Sequence, residues 1–236
     1  MKRRLKIIDK IIRAVKGSST FAIGGHMRPD GDCIGSQLAM GFALKNLGKK
    51  VTVFSQDEMP EKLAFLDPKK IITGPRKTRH YDCVLVTDCA SYERMGIICN
   101  SVSRRDLLIN IDHHSSNSRY GDLNWVDPKS ASSGELVFQL LKQGNWPITP
   151  PIADCLFTAI STDTGSFQYA TTRPSTYMIA AELVKRGANL SRICEEVYQS
   201  YPLSRVKLQR HMYNSFKIIE NNQIAYFWIR QADYKK

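Results

Sequence analysis

Short apolar segments alternate with helical patterns along this chain, and this alternation constrains its fold more than any other feature. Four of the segments are rich in β-branched residues and read TFAIGG, KKVTVFS, DCVLVTD and DLLINID. Helical patterns cover 33–47, 131–143, 151–161, 175–186 and 190–214, with a break expected at Pro202. Strands that alternate with helices predict an α/β fold, a mostly parallel sheet flanked by helices.

Acids and histidines follow three of these predicted strands. The residues that share this position are His26, Asp30, Asp32, Asp88, Asp112, His113 and His114. Because ligands bind beyond the carboxyl ends of strands in such sheets, we expect these side chains to share one edge. A further acid, Asp163, follows an apolar run and precedes a turn in AISTDTGSF.

Carboxylates that converge without partners repel one another in a partly desolvated site, so this cluster needs counter-charges. The carboxylates belong to Asp30, Asp32, Asp88 and Asp163. Two divalent cations would neutralise them, with His26 and His113 completing the coordination. Oxygen and nitrogen ligands without thiolate suit Mn²⁺ or Mg²⁺, with Zn²⁺, Fe²⁺ or Co²⁺ as alternatives. Two such metal ions side by side produce hydroxide from water and stabilise the oxygens of a phosphoryl displacement.

Other interpretations of these motifs fail on spacing. An EF-hand loop counted from Asp30 would put Ile34 at position five and Gly41 at position twelve, where oxygen ligands belong. No glycine-rich nucleotide-binding loop has its required spacing. A lone Asp at a strand end is more often a cap, so the prediction depends on the motifs together. Ser36 and Ser133 are interpreted as caps near helix starts.

The chain is basic, with 34 Lys and Arg against 22 Asp and Glu among 236 residues, which favours anionic partners. Much of the excess lies in MKRRLKIIDKIIRAVK, where Leu5, Ile8, Ile12 and Val15 recur at helical spacing. A docked amphipathic helix is favoured over membrane attachment. Six cysteines without a paired spacing are predicted to be core residues of a cytoplasmic protein.

The four motifs resemble those of the DHH phosphoesterases. In order they are His26-x-x-x-Asp30-x-Asp32-x-x-Gly35-Ser36, VTDCAS, IDHHSSN and STDTGSF. HMRPDGDCIGSQLA and GDLNWVDPKSASSGELV are similar to the nanoRNase and pAp-phosphatase branch of that family. The resemblance covers residues 20–185.

The resemblance implies a role for each residue of the site. One metal ion would be bound by His26, Asp30 and Asp88. The other would be bound by Asp32, Asp88, His113 and Asp163, so Asp88 would bridge the two ions. His114 would donate a hydrogen bond to the scissile phosphate, and Asp112 would orient its neighbours. Arg28 would contact phosphate, with a surface or structural role as an equal alternative.

The resemblance also implies a function. The protein would hydrolyse short oligoribonucleotides, as a 3′–5′ exonuclease, and/or pAp-like nucleotides. Its cofactor would be two divalent metal ions, with Mn²⁺ favoured over Mg²⁺ or Co²⁺. The alternatives are an inorganic pyrophosphatase, a linear-dinucleotide hydrolase, or a metal-binding protein with little turnover. The expected partners are short RNA or a nucleoside bisphosphate, with no membrane and with a homodimer as one option.

Three segments are expected along the chain. Residues 1–188 would form the DHH phosphoesterase domain, and 189–215 a helical connector. Residues 216–236 would form a hairpin around Asn221-Asn222, the first strands of an incomplete DHH-associated domain, because no GGGH-like motif follows.

Overall fold

The structure, a computed structural model, describes residues 2–235, with side chains from 6 to 233. The first and last predicted segments end at Met1 and Lys236, and both residues lie outside this range. The side chain of Leu5 is also outside the described part. The chain divides into two compact units, Met1–Cys194 and Glu195–Lys236. The predicted boundaries at 188 and 215 stay predictions.

A parallel sheet forms the centre of the first unit. Its strands are β1 Thr20–Gly24, β2 Lys50–Phe54, β3 Ile72–Thr73, β4 Tyr81–Thr87, β5 Arg105–Asp112 and β6 Leu123–Val126. Their order is β3-β2-β1-β4-β5-β6, and every neighbouring pair is parallel. The α/β prediction is confirmed. The sequence patterns missed β3 and β6, which are too short to show a period.

Helices of the first unit flank the sheet, and the predicted helices are present along the chain with shifted ends. The α-helices are α1 Lys2–Gly17, α2 Gly31–Asn46, α3 Ile98–Ser101, α4 Ser133–Gln143, α5 Pro150–Asp163, α6 Pro174–Lys185, α7 Leu190–Cys194 and α8 Leu203–Asn214. A π-helical turn, Glu195–Gln199, and Pro202 separate α7 from α8, so the expected interruption is confirmed. Asp163 is the last residue of α5.

Helix α1 is a docked amphipathic helix, as its pattern predicts. Ile8, Ile11, Ile12 and Val15 are buried. The described lysines Lys6, Lys10 and Lys16 are exposed on its other face. Within residues 2–235, no helix combines the length and the apolar character needed to cross a bilayer.

Helices α2 and α5 pack closely because small residues lie between them. A Cβ atom at Gly35 would collide with the carbonyl oxygen of Cys155, and one at Gly31 would collide with Thr162. This approach brings the end of α5, with Asp163, against the first turn of α2. All six cysteines are free. Four of them are buried as predicted, whereas Cys99 and Cys194 are only partly buried, so the prediction of a core position was wrong for these two.

The second unit contains α8 and a short antiparallel hairpin. Its strands are β7 Lys217–Ile219 and β8 Ile224–Tyr226. Asn221 and Asn222 lie in the turn with positive φ angles of 53° and 67°, which asparagine tolerates. The predicted hairpin is therefore confirmed.

Candidate metal centre

The predicted site residues lie where the strand order of the sheet reverses. Strands β1 and β4 are neighbours, although β2 and β3 lie between them in the chain. His26 follows β1, Asp88 follows β4, and His113 follows β5. Open α/β sheets bind ligands at this reversal, because connections leave the two neighbouring strands in opposite directions.

His26 directs one nitrogen at two carboxylates. Its Nε2 atom lies 3.3 Å from Oδ2 of Asp88 and 3.8 Å from Oδ1 of Asp30. Its Nδ1 atom lies 2.8 Å from the carbonyl oxygen of Met27, which can only accept a hydrogen bond. Nδ1 therefore donates to this carbonyl, and Nε2 faces the two acids.

His113 is the centre of a second group. Its Nε2 atom lies 3.4 Å from Oδ2 of Asp163, 3.6 Å from Oδ1 of Asp88 and 3.8 Å from Oδ2 of Asp32. Asp88 thus presents Oδ2 to His26 and Oδ1 to His113. Its carboxylate lies between the two groups.

These distances fit shared cations better than direct hydrogen bonds. An N–H···O hydrogen bond is about 2.7–3.2 Å long. Donor atoms bound about 2.1 Å from one ion lie ~3.0 Å apart in octahedral coordination and ~3.4 Å apart in tetrahedral coordination. Separations of 3.3–3.8 Å around His26 and His113 are longer than hydrogen bonds and leave room for a cation between the donor atoms.

Cys33 lies closer to the site than the sequence suggests. Its sulfur belongs with His26 and Asp88 in a group whose ligand atoms lie within 4.8 Å of one another. Burial raises the pKa of the Cys33 thiol to about 11, which disfavours the thiolate that a metal ion would bind. The oxygen and nitrogen donor set stays a prediction, with Cys33 as a neighbour of the site.

The N-terminus of α4 holds Asp32 in place. The backbone N–H groups of Ser133 and Gly134 donate to its two oxygens at 2.7 and 2.8 Å, and the hydroxyl of Ser36 donates at 3.1 Å. N–H groups at a helix N-terminus carry partial positive charge, which stabilises a carboxylate there. Asp32 is 1% exposed.

Among the protein groups alone, the buried acids resist ionisation together. Burial, followed by the charges of Asp88 and Asp163, raises the pKa of Asp32 well above its usual range. Burial also raises the pKa of Asp163 to about 6, although His113 opposes the rise. Burial disfavours a charged His26, but the neighbouring carboxylates of Asp30 and Asp88 outweigh it and raise its pKa. Such a cluster calls for cationic partners.

Asp112 fixes the orientation of His114. Nδ1 of His114 lies 2.8 Å from Oδ1 of the fully buried Asp112, whose Oδ2 accepts from the side chain of Asn117 at 2.6 Å. Nδ1 also lies 3.7 Å from Asp88, but the shorter bond occupies it. The hydrogen bond with Asp112 raises the pKa of His114. With Nδ1 bonded to Asp112, His114 donates from Nε2 only as an imidazolium, which the raised pKa favours.

The predicted roles of four residues change or remain open on the described contacts. Asp30 is the N-cap of α2 and accepts from the backbone of Cys33, so its capping and site positions coexist. Ser36 lies within α2, and the N-cap of α4 is Ser132, so the capping roles given to Ser36 and Ser133 were wrong. Arg28 is exposed, and its phosphate contact stays a prediction.

Ser133 is a positioning residue that the sequence reasoning missed. Its hydroxyl donates to Oδ1 of Asp88 at 3.1 Å. The motif SASSGELV contains it, but nothing local distinguishes it from the capping serine beside it. Only the contact with a residue 45 positions away reveals its role.

Substituting the two neighbouring serines is expected to separate activity from stability. Ser133→Ala removes a hydrogen bond from Asp88, so turnover should fall roughly tenfold or more while the melting temperature changes little. Ser132→Ala removes the N-cap of α4 and should cost about 1 kcal/mol of stability. Turnover and thermal unfolding of both variants test this. Equal turnover losses in both would contradict the role of Ser133.

Fold and site together define an α/β protein with a carboxylate and histidine cluster suited to divalent cations. The N-terminal domain of the DHH family matches residues 20–160. The chain therefore belongs to the DHH family, and the resemblance of its motifs is confirmed. Divalent metal dependence follows from the family and from the acidic groups.

Curated relatives match most of the chain. A bifunctional oligoribonuclease and PAP phosphatase NrnA from Thermus thermophilus is 33% identical over 195 residues, which are 82% of this chain and 58% of the relative. NrnA from Bacillus subtilis is 28% identical over 221 residues, 92% of this chain and 69% of the relative. The chain thus spans 58 to 69% of the length of these two relatives.

A solved structure shares the fold. It is that of an exopolyphosphatase-related protein from Bacteroides fragilis, with a TM-score of 0.87 and 24% identity. The match covers 98% of this chain and 71% of the other.

Proposed function

We propose that this chain is a phosphoesterase that hydrolyses short oligoribonucleotides, as a 3′–5′ exonuclease, and pAp-like nucleotides. The products are 5′-mononucleotides and inorganic phosphate. The observation that carries the proposal is Asp88, which directs one oxygen to each of two ligand groups. The relatives named as oligoribonuclease and PAP phosphatase also support the proposal.

In this proposal two divalent cations, Mn²⁺ before Mg²⁺ or Co²⁺, bind at the site. The first has the ligands His26, Asp30 and Asp88. The second has the ligands Asp32, Asp88, His113 and Asp163. The described distances support this division, because each set surrounds one imidazole Nε2 atom. The four carboxylates balance the charge of two such ions.

The chain's own residues then orient the reaction. Bound cations supply Lewis acidity and lower the pKa of water at the site. His114 donates from Nε2 to an oxygen of the scissile phosphate, and Asp112 keeps its ring in that orientation. Ser133 fixes Asp88. Arg28 lies exposed on the loop after β1, where it would contact a substrate phosphate.

The substrate class is tested by one set of incubations with Mn²⁺. The purified protein is given pAp, inorganic pyrophosphate, a linear dinucleotide and RNA of two to five nucleotides. We expect mononucleotide from the RNA and phosphate from pAp. Cleavage of pyrophosphate faster than the nucleotides would indicate the pyrophosphatase alternative. Absence of turnover with metal bound would indicate a binding protein.

The cellular location is also proposed. Six free cysteines and the proposed nucleotide substrates favour the cytoplasm. Fractionation of the source cells tests this.

The two adjacent histidines are expected to fail in different ways. His114→Ala should keep the metal content and lower turnover ~10²-fold, because one donor to the transition state is lost. His113→Ala should lose part of the metal, because its Nε2 faces three carboxylates. Elemental analysis and kinetics on both variants decide this. The same metal loss in both would show that the roles are divided wrongly.

A further inference from the structure

An exposed aromatic patch follows Asp163 in the chain. We define it as Phe167, Tyr169 and Tyr177. Tyr169, on the turn after α5, and Tyr177, in the first turn of α6, are 61% and 56% exposed, whereas Thr164 at the base of the turn is buried. Neighbouring aromatic rings on a surface form an apolar patch, which points to a binding site more strongly than a single exposed side chain does.

Hydrogen bonds hold the turn in a costly conformation. The carbonyl oxygen of buried Thr164 accepts from Gln168 and Tyr169 at 2.9 and 3.0 Å, and its hydroxyl accepts from the N–H of Phe167 at 3.1 Å. Ser166 and Phe167 both have left-handed φ angles, 59° and 65°. Non-glycine residues rarely adopt this region, and strain of this kind clusters at functional sites.

The rings are anchored on one side and open on the other. Phe167 lies 5.8 Å from Phe157, a buried ring of α5, and is stacked on Tyr177 at 5.5 Å with an interplanar angle of 24°. The Tyr177 hydroxyl donates to the carbonyl oxygen of Phe167 at 3.4 Å. The ring of Tyr169 lies against Gly165, where a Cβ atom would collide with it. The patch is thus a fixed surface.

The patch is close to the metal centre. Gly165, which contacts the Tyr169 ring, is two residues after Asp163. A nucleotide with its phosphate at the metal centre would therefore have its base within reach of the Tyr169 ring.

We infer that the aromatic patch binds a nucleobase of the substrate by stacking, with Tyr169 as its main contact. The inference rests on the proposed function, because it takes the phosphate at the metal centre to belong to a nucleotide. Stacking accepts every base, so the patch would select nucleotides over inorganic pyrophosphate with little sequence preference.

Kinetics on Tyr169 variants give the first test. Tyr169→Ala should raise KM for a diribonucleotide about tenfold with little change in kcat, whereas Tyr169→Phe should resemble the wild type. Hydrolysis of a dinucleotide analogue with abasic riboses should be equal in all three proteins. Val184→Ala, which removes a 43% exposed side chain of α6, is the matched control and should change nothing.

A binding measurement separates this inference from the proposed function. Stacking quenches the fluorescence of 2-aminopurine riboside 5′-monophosphate, and Tyr169→Ala should need about tenfold more protein for half-quenching. Equal quenching curves for the wild type and Tyr169→Ala would overturn the inference whatever the turnover. Quenching that depends on Tyr169, without hydrolysis by the wild type, would contradict the proposed function alone and keep the base site.

Discussion

Replacing Asp88 with alanine is expected to lower the hydrolysis of short RNA and pAp by several orders of magnitude. Asp88 is 2% exposed and faces His26 with one oxygen and His113 with the other. Its loss removes a ligand from both groups at once, unlike the loss of any other proposed ligand. The measurement is kcat with Mn²⁺, together with metal content by elemental analysis.

Two further variants test whether misfolding or a nonspecific effect explains the loss of turnover. Asp88→Asn keeps the size of the side chain and removes its charge, so it should fold and still lose most turnover. Asp106→Ala is the matched control, because this aspartate has a 67% exposed side chain and pairs with the exposed His80 at 2.8 Å. It should behave as the wild type does. An Asp88→Ala protein with full metal content and near-normal turnover would falsify the bridging role.

Removing divalent metal is expected to abolish turnover entirely, and adding Mn²⁺ back should restore it. The physical reason is the cluster of buried acids, in which burial and neighbouring carboxylates raise the pKa of Asp32. Ions that bind only the folded protein also stabilise it, by about 2.7 kcal/mol at a concentration 100 times Kd. The thermal midpoint should therefore rise with Mn²⁺.

Turnover and the rise in thermal midpoint with Mn²⁺ should depend on the same metal ligands. Asp163→Ala should lessen the rise in thermal midpoint, because His113 would then face fewer carboxylates. Asp106→Ala again serves as the control. Undiminished turnover by protein that elemental analysis shows to be free of metal would contradict a metal-dependent reaction.

The sequence alone predicted the α/β class, and it predicted that most of the site residues share one edge of the sheet. Strand patterns that end in His26, Asp88 and Asp112 are local signals, and the parallel-sheet rule converts them into a shared edge. The acids themselves predict cations, because charge balance depends on composition and not on exact positions. The DHH motifs added an expected division of the ligands, which stays a proposal.

Only the tertiary structure decided which residues support those acids. Ser133 reaches Asp32 across 101 positions, and α5 presents Asp163 because Gly31 and Gly35 let two helices approach closely. No local period encodes such contacts, since they arise from packing between distant segments. The patch around Tyr169 was missed for the same reason: the burial of a ring depends on the packing of the whole molecule, which its neighbours in sequence do not reveal.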